Sequence, residues 1–358
     1  MNPIQIVGAG PAGLVAAIIL GRAGRKVRVL EKEKAVGGDP TTHPRIDVTP
    51  MDLEPLRELM GIDFSPAAEP AQEYHRHLWG QLYRMDPAPL YLFERGSRPT
   101  SLETYLAGLA LEAGVEVEFS RPVVSAEDFA RLPAGSILAT GAHAEIFQAL
   151  GLPFRNVYVY TSLARFPGSQ NRVATYISRL APQYTYLAAT RGLAFAMFFS
   201  FQPLSDQSRA AFALEMENRE QLRFGPWRKF TETLPIALLL SPKLWHQGKI
   251  LAGTLGGYMD PFLFHGLHGA LFSGWISAKA ILDPPTAKRA FARHRLVFAR
   301  TLLLRRLVEM TPFRSRILKY MIPKHGHWEW GLPLAIGGIP GYRWNRPWRD
   351  RVWMKKLS

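Results

Sequence analysis

The chain has 358 residues, with 44 Lys and Arg against 29 Asp and Glu, and a formal net charge of +15 at pH 7. With 47% hydrophobic residues it has enough apolar material for a large core, and its length exceeds that of a typical single domain. It contains no cysteine, which excludes disulfides, thiolate metal ligands and a cysteine nucleophile, and we expect no metal site. The sequence shows no run of eighteen apolar residues and no signal-peptide pattern. We therefore expect a cytoplasmic protein, at most peripheral on the inner face of the membrane.

The first thirty-one residues predict a strand, a glycine turn, a helix and a second strand that ends in an acid. Residues 4–7 are the first strand, an alanine-rich helix covers residues 14–20, and residues 26–30 are the second strand. The G-x-G-x-x-G between strand and helix consists of Gly8, Ala9, Gly10, Pro11, Ala12 and Gly13. Such glycines permit a tight turn, the approach of a pyrophosphate and close packing of the helix on the sheet. The pattern predicts a dinucleotide at the helix N-terminus.

The acid that ends the second strand narrows the choice of dinucleotide. Glu31 would accept hydrogen bonds from an adenosine ribose and would repel a 2′-phosphate, which disfavours tightly bound NADP at this position. Lys32 follows it and is assigned to the same site. The choice between FAD and NAD depends on later segments.

Two of these later segments favour a flavin. Residues 136–143 contain an apolar strand that runs into the turn Ala139-Thr140-Gly141. Residues 250–274 contain a glycine-rich stretch, Gly253-Thr254-Leu255-Gly256-Gly257, and then Asp260-Pro261 and a second glycine-rich helix start. Together with the N-terminal fingerprint, they resemble the geranylgeranyl reductase branch of the FAD-dependent oxidoreductases. The larger group also holds aromatic hydroxylases, flavin halogenases and lycopene cyclases.

The resemblance implies a Rossmann-like FAD domain of α/β class, with an inserted antiparallel-sheet substrate domain and a C-terminal helical region. It implies non-covalent FAD, with Gly253 and Thr254 at the ribityl chain and residues 260–267 in front of the isoalloxazine. It also assigns the adenine contact to the segment that ends at Val123. The cofactor residues implied elsewhere by the resemblance are Gly38, Arg98, Ala139, Thr140, Gly141, Asp260, Gly266 and Leu267. Arg95 is the alternative to Arg98 as the match to the family's arginine before the helix that starts near residue 101.

Residues 253–267, here called the flavin loop, depart from the family pattern at two positions. Thr254 stands where the family has Asp, and Phe264 stands where it has its middle glycine, so Phe264 should narrow the approach to the flavin ring. His265 follows and is the candidate catalytic residue, because an imidazole with an ordinary pKa near 6.5 gives or takes a proton at physiological pH. A histidine that only packs in the loop is the alternative. His43, after Gly37-Gly38, is a second and weaker candidate.

The predicted domains are discontinuous in sequence. Residues 1–65, 100–155 and 245–282 are assigned to the FAD-binding domain, and residues 66–99 and 156–244 to the substrate domain. Residues 193–199 and 184–187 read as paired aromatic-rich strands of the latter, which either line an apolar pocket or form its core.

The remaining residues, 283–358, hold 17 Lys and Arg against 4 Asp and Glu, nearly all of the net charge. We expect a basic, amphipathic, helical region rich in tryptophan. Such a region favours an anionic membrane surface, with a solvated or protein-binding face as the next interpretation; nucleic acid is disfavoured.

The residues and the resemblance together predict an FAD-dependent oxidoreductase acting on an isoprenoid or other lipid-like substrate, by reduction of a carbon–carbon double bond or the reverse dehydrogenation. The electron donor would be NADPH or an acidic protein attracted by the basic region. A flavin monooxygenase or epoxidase is the enzymatic alternative. A non-catalytic flavin- or lipid-binding accessory protein is the alternative of another class.

Overall fold

The computed structural model describes residues 2–40, 43–87, 90–177, 185–229, 242–261, 264–310 and 354–357. Its helices are α1 (Pro11–Arg22), α2 (Leu53–Met60), α3 (Leu102–Glu112), α4 (Ala126–Arg131), α5 (Ala144–Ala149), α6 (Asp206–Glu220), α7 (Leu267–Leu282) and α8 (Pro284–Met310). Its strands are β1 (Ile4–Val7), β2 (Val27–Leu30), β3 (Arg45–Pro50), β4 (Ala68–Pro70), β5 (Glu73–Leu78), β6 (Gln81–Met85), β7 (Leu90–Arg95), β8 (Glu116–Glu118), β9 (Ile137–Leu138), β10 (Tyr158–Arg165), β11 (Arg172–Ile177), β12 (Thr185–Thr190), β13 (Leu193–Ser200), β14 (Arg228–Lys229), β15 (Trp245–His246), β16 (Lys249–Leu251) and β17 (Met354–Leu357).

The parallel sheet has the order β15-β16-β9-β1-β2-β8 within the described residues. All of its neighbouring strands pair in parallel except β15, which returns antiparallel to β16. The strands are short and mostly buried, as expected for a parallel sheet covered by helices. This arrangement confirms the predicted Rossmann-like unit.

Helix α1 packs against both α3 and α7 on this sheet. Glycine permits the close approach of α1 and α7, because a Cβ added to Gly274 would lie 2.5 Å from the carbonyl oxygen of Ala12. Helix α3 begins at a Ser101 cap whose Oγ accepts the Thr104 N–H at 3.3 Å.

The large sheet has the order β14-β10-β13-β12-β11-β5-β6-β17 in the described part of the chain. It is antiparallel apart from the β5–β11 pair. The predicted pairing of the two aromatic-rich strands is observed, with Leu187 of β12 opposite Ala196 of β13. A small third sheet, β3-β7-β4, joins residues assigned to both predicted domains.

The C-terminal region is a helix from Pro284 to Met310, and residues 311–353 lie outside the described residues, including the tryptophans from Trp328 to Trp353. The last described element, β17, is a strand where the sequence analysis expected helix. It pairs antiparallel to β6, with Lys356 opposite Tyr83, because the outer edge of β6 offers unpaired backbone groups to a further strand.

Candidate cofactor site

The carboxyl ends of four parallel strands meet at one edge of the sheet. Val7 is opposite both Leu30 and Leu138, and Leu138 is opposite Leu251. The residues that follow these strand ends are therefore brought together, although they are far apart in the chain. They are the glycine turn, Glu31, the 139–141 turn and the 253–254 turn. Crevices at the carboxyl ends of parallel strands are the usual ligand sites of such sheets.

The glycine turn has the geometry that its sequence predicted. Gly8 has φ +100°, and a Cβ there would lie 2.4 Å from the carbonyl oxygen of Ala139. A Cβ on Gly13 would lie 2.0 Å from the carbonyl oxygen of Gly8, so only glycine lets α1 pack this closely. A Cβ on Gly10 would meet no protein atom within 4 Å. Gly10 thus faces open space, where a phosphate can approach the backbone.

Glu31 is buried and fixes this turn. One carboxylate oxygen accepts the Ala9 N–H at 2.7 Å, and the other accepts the Glu33 N–H at 2.9 Å. The carboxylate also borders the cavity, where its remaining acceptor capacity is available to ribose hydroxyls. Beside it, Lys32 Nζ lies 3.5 Å from Nε2 of His143.

A cavity of about 280 Å³ extends from these strand ends to the inner face of the large sheet. Most of the residues predicted to hold a cofactor line it, and so does His265. They are Gly8, Ala9, Gly10, Pro11, Ala12, Glu31, Lys32, Gly38, Val123, Ala139, Thr140, Gly141, Gly253, Thr254, Gly266 and Leu267.

Three predicted cofactor residues lie outside the cavity lining. Gly13 lies beneath the turn, where it serves the packing just described. Arg98 is turned away, with its Nε 3.1 Å from Glu94 and its side chain 46% exposed. Asp260 is buried and closes the flavin loop through its backbone, since its N–H donates to the carbonyl of His265 at 3.0 Å.

Two features of the cavity fit a flavin adenine dinucleotide. Oγ1 of Thr140 is buried and has no hydrogen-bond partner among the described residues, which leaves it for a ligand. The helices α1 and α7 both begin at this cavity, at Gly10 and Gly266, and neither has a side-chain cap. Their unpaired N–H groups and dipoles favour negative charge in the space between them.

The flavin loop carries an unusual backbone at Phe264. Its φ is +64°, in the left-handed region that favours glycine, which matches the family's glycine at this position. The ring is buried and lies 5.2 Å from the ring of Phe199 in β13. Phe264 therefore forms part of the cavity wall.

His265 borders the cavity beside Phe264. Burial lowers the pKa of its imidazole to about 4, although a hydrogen bond to the backbone of Val48 and the nearby Asp47 carboxylate act in the opposite direction. At neutral pH His265 is therefore uncharged, contrary to the ordinary pKa on which its sequence-based assignment relied.

The cavity wall also carries a cluster of charged side chains that the sequence analysis did not predict. The Arg95 guanidinium contacts both Asp47 and Glu103, with 2.7 Å from its Nε to Glu103, and Arg45 Nε lies 3.1 Å from Asp47. Burial would raise the pKa of both carboxyls, but the guanidiniums hold each below its ordinary value. Of the two arginines that match the family's arginine before α3, Arg95 lines the cavity and Arg98 does not. Nothing in the spacing pairs Asp47 with Glu103, because β3 and α3 meet only in the fold.

His43 lies within the same wall, and burial together with the Arg45 charge lowers its pKa to about 4. The large sheet and the flavin loop supply an apolar part of the cavity lining. Its residues are Val159, Tyr186, Met197, Phe199, Met259 and Phe264. The polar end of Tyr186 is occupied, since its hydroxyl donates to the carbonyl of Ile46 at 3.0 Å.

This combination of a parallel sheet, a glycine turn, a flavin-type loop and an inserted antiparallel sheet defines the two-dinucleotide-fold flavoproteins. The predicted fold class is confirmed by comparison with known proteins. Residues 6–79 match the family model described as an NAD(P)-binding Rossmann-like domain.

Among solved structures, the geranylgeranyl bacteriochlorophyll reductase-like protein from Thermoplasma acidophilum superposes with a TM-score of 0.68 at 15% identity, over 90% of each chain. The p-nitrophenol 4-monooxygenase PnpA from Pseudomonas putida gives a TM-score of 0.58 at 15% identity, over 90% of this chain and 94% of that one. The chain therefore has the fold of the FAD-dependent oxidoreductases that include reductases and aromatic monooxygenases.

A curated relative is the flavin-containing monooxygenase FMO GS-OX2 of Arabidopsis thaliana, which is 45% identical over 64 residues. That match covers 16% of this chain and 14% of the relative. It therefore concerns a short segment and not the whole enzyme.

Proposed function

We propose that the protein is an FAD-dependent oxidoreductase that acts on a hydrophobic substrate, by reduction of a carbon–carbon double bond or by the reverse dehydrogenation. The observation that carries the proposal is that one continuous cavity joins the dinucleotide fingerprint to an apolar wall on the large sheet. A substrate against Val159, Met197 and Phe199 would lie in the same enclosed space as the cofactor. An apolar wall with few polar groups selects an apolar molecule.

The residues that would hold FAD are those of the glycine turn, Glu31, Thr140, Gly253 and Thr254. FAD bound there supplies two-electron redox chemistry, and the protein supplies binding and orientation. The electron donor we propose is NADPH or an acidic protein.

His265 is the residue we propose for proton transfer in the cavity. Because its pKa is about 4, it is neutral near pH 7 and is equipped to accept a proton. In the dehydrogenation direction it would take the proton that leaves one carbon while hydride leaves the other. In the reduction direction, which is the reverse of this step, the His265 imidazolium would return the proton to carbon, and the scarcity of that form at neutral pH would slow the step.

A flavin monooxygenase is the second candidate. It is favoured by the similarity of the N-terminal segment to a flavin-containing monooxygenase and by the fold shared with p-nitrophenol 4-monooxygenase. The two candidates differ in whether reduced enzyme consumes oxygen in step with NADPH.

The test begins with anaerobic purification and a visible absorbance spectrum. Dithionite should bleach a bound flavin, and addition of a polyunsaturated isoprenoid alcohol without oxygen should then restore its colour. If only air restores the colour of the flavin, with coupled oxygen uptake, the protein is a monooxygenase and not a reductase. A protein that takes up no FAD would overturn both and leave the accessory-protein alternative.

The variant His265→Gln should slow the dehydrogenation direction and abolish the fall in rate that the wild-type protein shows as the pH drops through about 4. His246→Gln is the matched control, because that histidine lies outside the cavity and its Nε2 is 2.8 Å from the carbonyl of Leu150. An unchanged pH profile in His265→Gln would contradict the assignment of His265.

A further inference from the structure

Helix α8 exposes apolar side chains in a stripe along its outer face. Leu296, Leu303 and Met310 are spaced seven residues apart and therefore lie on one side of the helix. Their exposed fractions are 52%, 57% and 79%. The stripe is not a part of the core, although side chains of this kind are usually buried.

The same face is strongly basic. The exposed Lys and Arg of α8 are Lys288, Arg289, Arg293, Arg295, Arg300 and Arg306. Among the described residues none of these six forms an ion pair with an acidic side chain. The one acid of the helix, Glu309, is turned inward, where it accepts from Arg305 at 2.9 Å and lies 3.8 Å from Arg155.

The inner face holds the helix in place. Phe291, His294, Val297 and Phe298 are buried, and Nε2 of His294 lies 3.0 Å from the carbonyl oxygen of Gly257. The outer face is therefore presented by a helix that is already anchored to the rest of the protein.

We propose that the outer face of α8 docks on an anionic lipid surface. Leucine and methionine would enter the boundary between headgroups and acyl chains, while the flanking arginines contact lipid phosphates. Because the apolar stripe runs along one side of α8, the helix would lie parallel to the surface. No helix in the described part of the chain is long and apolar enough to cross a membrane.

The other occupants fit this face less well. A second copy would bring six basic side chains against six others, which is repulsive. Nucleic acid is bound by basic grooves with aromatic side chains for stacking, and the stripe between these arginines is aliphatic. An acidic protein would complement the basic charges, but its charge would not account for the exposed leucines.

The proposal is independent of the oxidoreductase activity and is tested without substrate. The full-length protein is sedimented with vesicles of phosphatidylcholine alone and with vesicles containing one quarter phosphatidylglycerol. We expect binding to the anionic vesicles only, and a weakening by added salt.

The double variant Arg293→Gln/Arg300→Gln should bind the anionic vesicles about 30-fold more weakly, because each basic residue near such a surface adds about fivefold. Leu303→Gln should weaken binding about tenfold, at unchanged charge. The matched control is Arg131→Gln/Arg223→Gln, which removes two exposed arginines outside α8. Unchanged unfolding temperatures would show that all three variants fold.

Equal binding by the α8 variants and the control would overturn the proposal, as would the absence of binding to anionic vesicles. A stable dimer in solution that Leu303→Gln dissociates, without any vesicle binding, would assign the face to a second copy instead.

Discussion

The guanidinium of Arg305 lies over the ring of Phe264, 4.5 Å from its centroid. The same guanidinium lies 4.9 Å from the ring centroid of Phe201 and pairs with Glu309. Arg305 belongs to the C-terminal helix and Phe264 to the flavin loop, so this contact joins the helix to the cavity wall. The sequence analysis assigned the whole of residues 283–358 to a basic amphipathic region, whereas the structure turns Arg305 of that region inward.

The contacts of the Phe264 ring also hold its backbone in the left-handed conformation. A non-glycine residue at φ +64° is strained by about 1 kcal/mol or more, and it persists only where its surroundings hold it. Here the buried ring contacts the rings of Phe199 and Phe201 and lies beneath the Arg305 guanidinium. Packing of the side chain thus offsets the strain of the main chain.

Arg305→Met and Phe264→Leu should each lower the free energy of unfolding, by about 1–3 kcal/mol. Their combined effect should be smaller than the sum by about 0.5–2 kcal/mol, because both changes remove the same cation–ring contact. Urea denaturation of the four proteins in the cycle measures this coupling. Strict additivity would show that the contact contributes nothing to stability.

Gly10→Ala should separate cofactor binding from folding. The backbone at Gly10, with φ −79° and ψ 177°, is accessible to alanine, and the added Cβ meets no protein atom. The apoprotein should lose no more than about 1 kcal/mol of stability, as a change of helix cap. FAD affinity should fall at least about tenfold, because the methyl group occupies the space of a phosphate.

Calorimetric titration with FAD and thermal unfolding of the apoprotein check both parts of the Gly10 prediction. Gly108→Ala is the control: its added Cβ also meets nothing, but it lies within α3 and outside the cavity. Full FAD affinity in Gly10→Ala would contradict the placement of the pyrophosphate.

Thr140→Val should change apoprotein stability and FAD affinity in opposite directions. Its buried Oγ1 has no partner among the described residues, so its removal should stabilise the apoprotein by about 1 kcal/mol. If FAD uses this hydroxyl, affinity should fall about three- to tenfold. Thr185→Val is the matched control, since its Oγ1 is likewise buried without a partner among those residues but does not border the cavity. It should stabilise the protein and leave FAD binding unchanged.

His294 should make stability depend on pH in the acid range. Burial lowers its pKa to about 4 in the folded protein, below the ordinary value of 6.5. The unfolded chain therefore binds the additional proton, and the contribution of a neutral His294 is fully present above pH 6.5 and lost as the pH falls toward 4. The loss should reach about 3 kcal/mol.

Urea unfolding of the wild-type protein and of His294→Gln at several pH values measures this contribution. The wild-type protein should lose stability more steeply than His294→Gln as the pH falls from 6.5 to 4. His43 and His265 contribute equally to the slope of both proteins. Parallel curves would mean that His294 keeps an ordinary pKa after folding.

The sequence by itself determined the nucleotide-binding unit. Gly8, Gly13 and Glu31 lie within one local strand-turn-helix-strand unit, so spacing alone predicts their geometry. The resemblance extended this to the turns at Thr140 and Gly253, which the strand register then brought to the same edge.

Only the tertiary structure decided the remainder of the cavity. It joined Asp47, Arg95 and Glu103 on one wall, although they come from three elements, and it turned Arg98 away toward Glu94. It also lowered the pKa of His265 by burial, which depends on neighbours that no local pattern specifies. Charge, spacing and propensity act over a few residues, whereas side-chain contacts and desolvation arise only when distant segments meet.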